Sequence, residues 1–300
     1  MRVLVTGSSG LIGRELVAEL GRQGHQATRL VRRPVAGAGE ATWDPAAGTI
    51  DAAALEGHDA AVHLAGAGIG DHRWSDAHKR AVLDSRVQGT GLLARTLASL
   101  DRPPEVLASG SAVGYYGYES GEPVTETSPK GSGFLADVVG AWEEAAAPAQ
   151  AVGIRTVKLR SGVVLTAKGG ALKKQLLPFK LGFGGRLGDG KQWLSWISLD
   201  DEVAAIIHLL SAGSTSGPVN VTSPQPVTNK EFTATLARVL HRLAFIPVPT
   251  PALHALFGKE MTKEMLLGGQ KVLPVRLQAE ACYTFAHPEL EGALRHTLRR

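Results

Sequence analysis

The chain has 300 residues, is 44% hydrophobic, carries a formal net charge of +4 and holds a single cysteine, Cys282. That apolar content supports one large core, or one core with a smaller lobe, and a lone cysteine excludes an internal disulfide framework and fits a reducing compartment. Lys and Arg are scattered, which argues against a nucleic-acid surface; the one basic run, RHTLRR at the C-terminus, reads as the solvated side of a final helix.

The first expected element is a strand over residues 3–6, followed without a break by Gly7, Gly10 and Gly13 and then by a helical pattern in which Ile12, Leu16, Val17 and Leu20 share one face. Gly24 closes that helix, and a second apolar run over residues 27–31 ends in Arg32 and Arg33, completing a βαβ unit of about thirty residues. Gly7 permits a sharp turn out of the strand, Gly10 lets backbone approach a pyrophosphate, and Gly13 lets the helix lie close on the sheet. Dinucleotide phosphates then rest on free N–H groups at the helix N-terminus, which assigns Gly7, Ser9, Gly10, Leu11, Ile12 and Gly13 to cofactor binding. An NAD site places Asp or Glu at the end of the second strand, whereas a 2′-phosphate needs guanidinium groups. With Arg32 and Arg33 there and no acid nearby, the expected cofactor is NADP(H).

Residues 34–56 read as a loop with a short strand. Residues 59–66 (DAAVHLAG) form a third buried strand ending in small residues, which let backbone pass close to a ligand; His63, Leu64, Ala65 and Gly66 join the cofactor set. A long helix runs from about Ser75, with Val82, Val87, Leu93, Leu97 and Leu100 on its apolar face, and Pro103 and Pro104 stop it. Residues 106–111 (VLASGS) and 154–159 (IRTVKL) are the fourth and fifth strands, with a helix over 134–147 between them. This alternation requires crossovers and defines an α/β protein with a Rossmann-type doubly wound parallel sheet. From Gly162 the pattern changes: a helix over 172–181, a Gly-rich stretch over 181–197, a helix capped by Asp200 and ending at Leu210, a strand over 219–222, and a helix over 230–240 capped by Asn229. Long Gly-rich insertions of this kind build a smaller C-terminal substrate lobe. IPVPTP, residues 246–251, works as a hinge into a helical tail, in which Cys282, beside Tyr283 and Phe285, reads as a core thiol.

TGSSGLIG at residues 6–13, DAAVHLAG at 59–66 and SGSAVGYYG at 109–117 resemble the extended short-chain dehydrogenase/reductase superfamily. RSGVVL at 160–165, LPFKLGFGGRLGDG at 177–190 and FGKEMTKEMLLGGQKVLP at 257–274 resemble an atypical branch of it, the epimerase-family or nucleoside-diphosphate-sugar-epimerase-like proteins, with a C-terminal domain of unknown function. The resemblance implies an NAD(P)-binding domain over residues 1–245 (nucleotide half 1–160, substrate-lobe segments 161–245) and a helical C-terminal domain over 246–300. It also implies cofactor contacts from Ser109 and Arg160.

The resemblance implies hydride chemistry by a serine, here Ser111, paired with a YxxxK on the following helix, whose tyrosine moves the proton while its lysine lowers the tyrosine pKa. That helix reads FLADVVGAWEEAA: the tyrosine position falls near Leu135 or Ala136 and the lysine position near Val139 or Gly140, so neither residue is present. Tyr115 and Tyr116 are the phenols nearest to Ser111 in sequence, and these three are the candidate catalytic residues. Glu143 and Glu144 lie on the same helix but point in different directions, one of them into solvent. Arg86, in RVQGT where the superfamily has NVxGT, offers a guanidinium either to a phosphate or carboxylate or to an interhelical salt bridge. His72, Arg73 and Trp74, and Trp193 and Trp196, either line a cleft or cover core.

No HxxxH or HxH pair points to a metal, and there is no GxSxG elbow or Walker-type GK[ST]. The expected function is an NADP(H)-dependent oxidoreductase or epimerase-like enzyme on a small molecule. The alternatives are a non-catalytic NADP(H)-sensing regulator and a reductase of activated double bonds. Sugar-nucleotide epimerisation, which uses tightly held NAD, fits the two arginines poorly. No apolar run reaches the eighteen or so residues of a membrane span and no cleavable signal pattern opens the chain, so the expectation is a cytoplasmic protein with a small-molecule substrate and neither nucleic acid nor membrane as partner, a homodimer being left open.

Overall fold

The computed structural model describes residues 1–244 and 246–299, and of Ser120 only the backbone; Phe245, where the expected domain boundary falls, and Arg300 lie outside the described residues. β1 (Arg2–Thr6) is buried from its second residue on, because its β-branched and aliphatic side chains meet apolar surface on both faces. α1 (Leu11–Arg22) turns Gly13, Leu16 and Leu20 inward, and the chain reverses at Gly24, whose φ is +77°. β2 (Gln26–Val31) runs parallel to β1. Where a loop with one short strand is expected beyond it, there are two strands, β3 (Glu40–Asp44), parallel to β2, and β4 (Thr49–Ile50), antiparallel to β3. β5 (Ala60–His63) pairs parallel with β1 on its other side and stops at His63, so residues 64–66 lie beyond the ladder.

Ser75 starts α2 (Asp76–Ala98) by accepting a hydrogen bond from the His78 amide at 3.2 Å, and β6 (Val106–Ala112) follows, parallel to β5. The remaining elements are β7 (Glu119–Val124), α3 (Phe134–Glu144), α4 (Ala147–Ala151), β8 (Arg155–Ser161), β9 (Val163–Leu165), α5 (Gly170–Lys180), β10 (Trp193–Leu194), β11 (Trp196–Ser198), α6 (Leu199–Ser211), β12 (Gly217–Val221), β13 (Val227–Thr228), α7 (Asn229–Leu240), α8 (Thr250–Phe257), α9 (Lys259–Met261), β14 (Gly269–Val272), α10 (Val275–Ala279) and α11 (Leu290–Leu298). The main sheet has eight strands in the order β12-β8-β6-β5-β1-β2-β3-β4. Outward crossovers from β1 in both directions make it the doubly wound sheet expected from the sequence.

The chain divides into two compact units. The first comprises residues 1–111, 138–159 and 203–219, with a core that includes Leu4, Leu30, Trp43, Leu93, Leu97 and Leu107. The second comprises residues 112–137, 160–202 and 220–300, and packs Leu165, Leu172, Phe179, Trp196, Phe232 and Leu294. In the second unit the tail is not wholly helical: β14 pairs parallel with β7, Gly269 opposite Glu119. Glu264, from FGKEMTKEML, caps α3 by accepting from the amides of Phe134 and Leu135, both at 3.0 Å.

Three local expectations are corrected. Ser198 caps α6, its hydroxyl accepting from the Asp201 amide at 2.9 Å, and Asp200 lies inside the first turn. Thr228 caps α7 in a reciprocal capping box with Glu231, which leaves Asn229 to accept from the Leu187 amide at 2.8 Å. Cys282 is exposed at a φ of +53°, so it is not a core thiol.

The closest approach of helix to strand end is at Gly13, where a Cβ would stand 2.2 Å from the carbonyl oxygen of Gly7; Gly21, in the same helix, has open space around it. Gly13→Ala is therefore expected to lower the unfolding free energy by about 1–3 kcal/mol, as overpacking against backbone does. Gly21→Ala should raise it by up to about 1 kcal/mol. Urea denaturation of both variants measures the contrast, and equal effects would refute it.

Candidate functional site

Gly7 leaves β1 with φ +67°, and a Cβ there would lie 2.7 Å from the Leu64 carbonyl carbon and 2.8 Å from the Ala65 nitrogen. The turn thus passes directly against residues 64 and 65. Thr6 holds that contact: its hydroxyl accepts from the amides of Leu64 at 3.1 Å and Ala65 at 3.3 Å and lies 2.8 Å from His63 Nδ1. With both lone pairs engaged, the Thr6 hydroxyl donates to Nδ1, so the imidazole proton sits on Nε2, which has no partner. Burial, and then the Arg86 charge, push the His63 pKa from the ordinary 6.5 to about 4. The ring is fully buried and holds Thr6; the Ser109 hydroxyl is likewise buried, against the Gly110 carbonyl.

Gly10, Leu11 and Ile12 surround the opening of α1, where no side chain caps the helix and the first turn holds no acid. The first N–H groups of a helix have no intrahelical acceptor, so this end presents donors and a positive dipole. Gly10 and Ser9 are exposed there.

At the end of β2 an acid does stand beside the arginines. The parallel register sets Arg29 opposite Glu40, and Glu40 receives the Arg33 guanidinium in a two-pronged pair at 2.6 and 2.9 Å, Arg29 at 2.8 Å and the Ala36 amide at 2.9 Å. The Arg33 hydrogen bond first, then the Ala36 amide, hold the Glu40 carboxyl down at about 2. Arg32 is exposed and has no ion pair among the described residues.

The first unit also gathers Arg86, Trp142, Ser111 and Glu143. Arg86 Nη1 donates to the carbonyls of Ala67 at 3.0 Å and Val82 at 3.1 Å, and the guanidinium lies 4.9 Å from the Trp142 ring centre. No interhelical salt bridge forms: among the described residues no carboxylate pairs with Arg86, and burial lowers its pKa to about 10. Gly110 lets Trp142 come this close, since a Cβ would lie 2.7 Å from its ring. The Ser111 hydroxyl donates to Glu143 Oε1 at 2.6 Å, with both side chains buried, while Glu144 is exposed. The vacated pair falls on Leu135 and Val139 or on Ala136 and Gly140; Ala136 and Val139 are buried, and Leu135 and Gly140 are part-buried.

The expected catalytic trio is divided: Ser111 ends a segment of the first unit, and Tyr115 and Tyr116 belong to the second. There Arg160 lies 3.5 Å from the Tyr115 ring centre and donates to the Tyr116 hydroxyl at 2.9 Å. Tyr116 in turn donates to Asn220 Oδ1 at 2.6 Å, and burial raises its pKa. Tyr116 and Arg160 are thus joined by a buried hydrogen bond. Sequence spacing missed two further groups in the second unit. Glu202 is fully buried, accepts from Ser161 at 2.6 Å and is pushed by burial to a pKa of about 7. Asp200, His287 and His296 come together with their ligand atoms within 4.8 Å of one another. Trp196 is core and Trp193 lies under the Lys271 ammonium.

A glycine turn opening a helix at the carboxyl end of the central strand of a doubly wound sheet defines the dinucleotide-fold class of α/β proteins. Residues 3–222 match the NAD dependent epimerase/dehydratase family, and the chain belongs to it; residues 248–297 match a domain of unknown function (DUF1731). Epimerase family protein SDR39U1 of Homo sapiens is 40% identical over 298 residues, 98% of this chain and 99% of the human one. An epimerase family protein of Mycobacterium tuberculosis is 42% identical over 99% of this chain and 98% of its own length. The crystal structure of human SDR39U1 (isoform 2) with NADPH superposes with a TM-score of 0.90 at 38% identity, covering 100% of this chain and 99% of that one. A nucleoside-diphosphate sugar epimerase from Corynebacterium glutamicum superposes at 0.80 with 34% identity over 99% of this chain and 58% of that one. No helix among the described residues is long and apolar enough to cross a membrane.

His63 carries a pH consequence. Its folded pKa lies below the unfolded value, so folding stability is full above pH 6.5 and is lost as the pH falls toward 4. The loss attributable to this group is up to about 3 kcal/mol. Unfolding free energies measured across that window should fall steeply in the wild type and much less in His63→Asn; parallel curves would show that the imidazole is not the group being protonated.

Proposed function

We propose that the chain is an NADP(H)-dependent oxidoreductase acting on a small molecule, in which Ser111 and Glu143 take over the proton transfer that YxxxK performs elsewhere in the superfamily. The observation that carries this reading is the buried 2.6 Å hydrogen bond from Ser111 to Glu143. The human relative crystallised with NADPH, similar over the whole chain, supports the cofactor. So do the residues themselves: the uncapped N-terminus of α1 fits a pyrophosphate, Gly7 and Gly13 keep side chains out of the turn, and exposed Arg32 fits a 2′-phosphate. Exposed Arg32 at this position also argues against sugar-nucleotide epimerisation with NAD, Glu40 being committed to Arg33 and Arg29.

When bound, the nicotinamide supplies a hydride to an electrophilic carbon of the substrate, and negative charge then builds on the atom to be protonated. Ser111 donates its hydroxyl proton to that atom and is reprotonated along its hydrogen bond with Glu143; in the oxidising direction Ser111 takes the substrate's hydroxyl proton as its own passes to Glu143 Oε1. Burial of both side chains keeps water from short-circuiting the transfer. Arg86, part-buried, bonded to two carbonyls and facing an indole, would hold an anionic group of substrate or cofactor.

A second reading, an NADP(H) sensor without turnover, is favoured by the absence of any phenol or ammonium at residues 135, 136, 139 and 140, where the tyrosine and lysine would stand. A conjugated substrate, as in reduction of an activated double bond, would need only the weak donor that Ser111 is. NADPH oxidation followed against carbonyls, enones and sugar nucleotides separates these readings. The expected result is turnover with at least one class, lowered roughly a hundred- to ten-thousand-fold in kcat by Ser111→Ala and by Glu143→Gln, with NADPH affinity unchanged. Turnover indifferent to both substitutions would overturn the assignment, and tight NADPH binding with no turnover on any class would favour the sensor.

A further inference from the structure

We propose that Asp200, His287 and His296 form a binding site for one divalent transition metal ion of the Zn2+, Co2+ and Ni2+ class. Asp200 stands in the first turn of α6, His287 in the segment leading to α11, and His296 in the last turns of α11. The His296 Nε2 atom lies 2.5 Å from Asp200 Oδ2, and the two imidazoles stack with centroids 4.2 Å apart and planes at 27°. All three ligand atoms fall within 4.8 Å of one another. Ligands of a tetrahedral zinc ion with bonds of about 2.0–2.1 Å stand about 3.3 Å apart, a contraction within reach of rotamer changes in these partly exposed side chains.

The backbone that carries the ligands is fixed independently of them. Asp201, buried beside Asp200, accepts from the amides of Ala286 at 2.7 Å and His287 at 2.9 Å, from the Tyr283 hydroxyl at 3.1 Å and from the Ser198 hydroxyl at 2.8 Å. Its oxygens are thereby committed, so it positions the His287 segment and is not itself a ligand. The Ser223 hydroxyl donates to the Pro288 carbonyl at 2.7 Å, and Leu290, Ala293 and Leu294 seat α11 in the core. Asp200 and His296 also line an open cavity of about 460 Å3, which leaves room for a water ligand to complete the coordination.

Donor chemistry selects the ion. Two imidazoles and one carboxylate suit borderline metals, whereas Mg2+ and Ca2+ require oxygen cages. Lys168, Arg295 and Arg299 line the same cavity, and their charge opposes a weakly held hard cation further.

Untagged full-length protein carrying Cys282→Ser, which removes the exposed thiol as a competing ligand, is titrated with CoCl2 and then ZnCl2, with thermal unfolding followed in parallel. The expected result is one Co2+ per chain with a visible ligand-field band, displacement by Zn2+, a raised Tm, and no response to MgCl2. Asp200→Asn, His287→Gln and His296→Gln should each weaken binding at least about tenfold and abolish the Tm gain, while melting normally without metal. Lack of saturable uptake, or uptake undiminished in the three variants, would overturn the site and leave His296–Asp200 as a surface hydrogen bond.

Discussion

The first unit depends on one contact that permits no side chain: the first turn of α1 crossing the end of β1 where Gly13 meets the Gly7 carbonyl. Because two backbones touch there, the helix axis is held against the strand end and its free N–H groups open beside residues 64–66. Gly7 reaches the same place by a left-handed φ, and Thr6 ties the far side of the gap with three hydrogen bonds. Sheet order, helix dipole and small residues at the strand ends thus converge on one opening.

Around that opening, polar groups are held by burial and not by the residue types typical of the superfamily. Ser111 has a carboxyl partner, Glu143, in place of a phenol. Arg86 is part-buried and donates to two carbonyls beside an indole, with no carboxylate partner among the described residues. In the second unit Arg160, Tyr116 and Asn220 form a hydrogen-bonded chain.

The parallel, doubly wound sheet and the glycine turn were legible in the sequence because they are written locally, in runs of apolar residues and in glycines at short spacing. What was missed depended on contacts between distant positions. Glu40 was invisible beside Arg33 until the β2–β3 register set it opposite Arg29. Glu143 was readable as a helix residue, but its inward direction and its bond to Ser111 belong to packing. Glu264 capping α3 and the assembly of Asp200, His287 and His296 likewise join segments that no periodicity connects. The misplaced helix caps at Asp200 and Asn229 were off by one or two positions, where Ser198 and Thr228 compete for the same amides.

The central claim is that the adenosine end of NADP(H) docks at the mouth of α1 with its 2′-phosphate on Arg32, because Glu40 already occupies the fork of Arg33. Titrating NADPH and NADH against the wild type, Arg32→Ala and Arg33→Ala tests it most directly. The account predicts that Arg32→Ala weakens NADPH roughly tenfold or more and leaves NADH unchanged, with Arg33→Ala the milder of the two. Equal weakening of both cofactors by Arg32→Ala, or no effect on either, would contradict it.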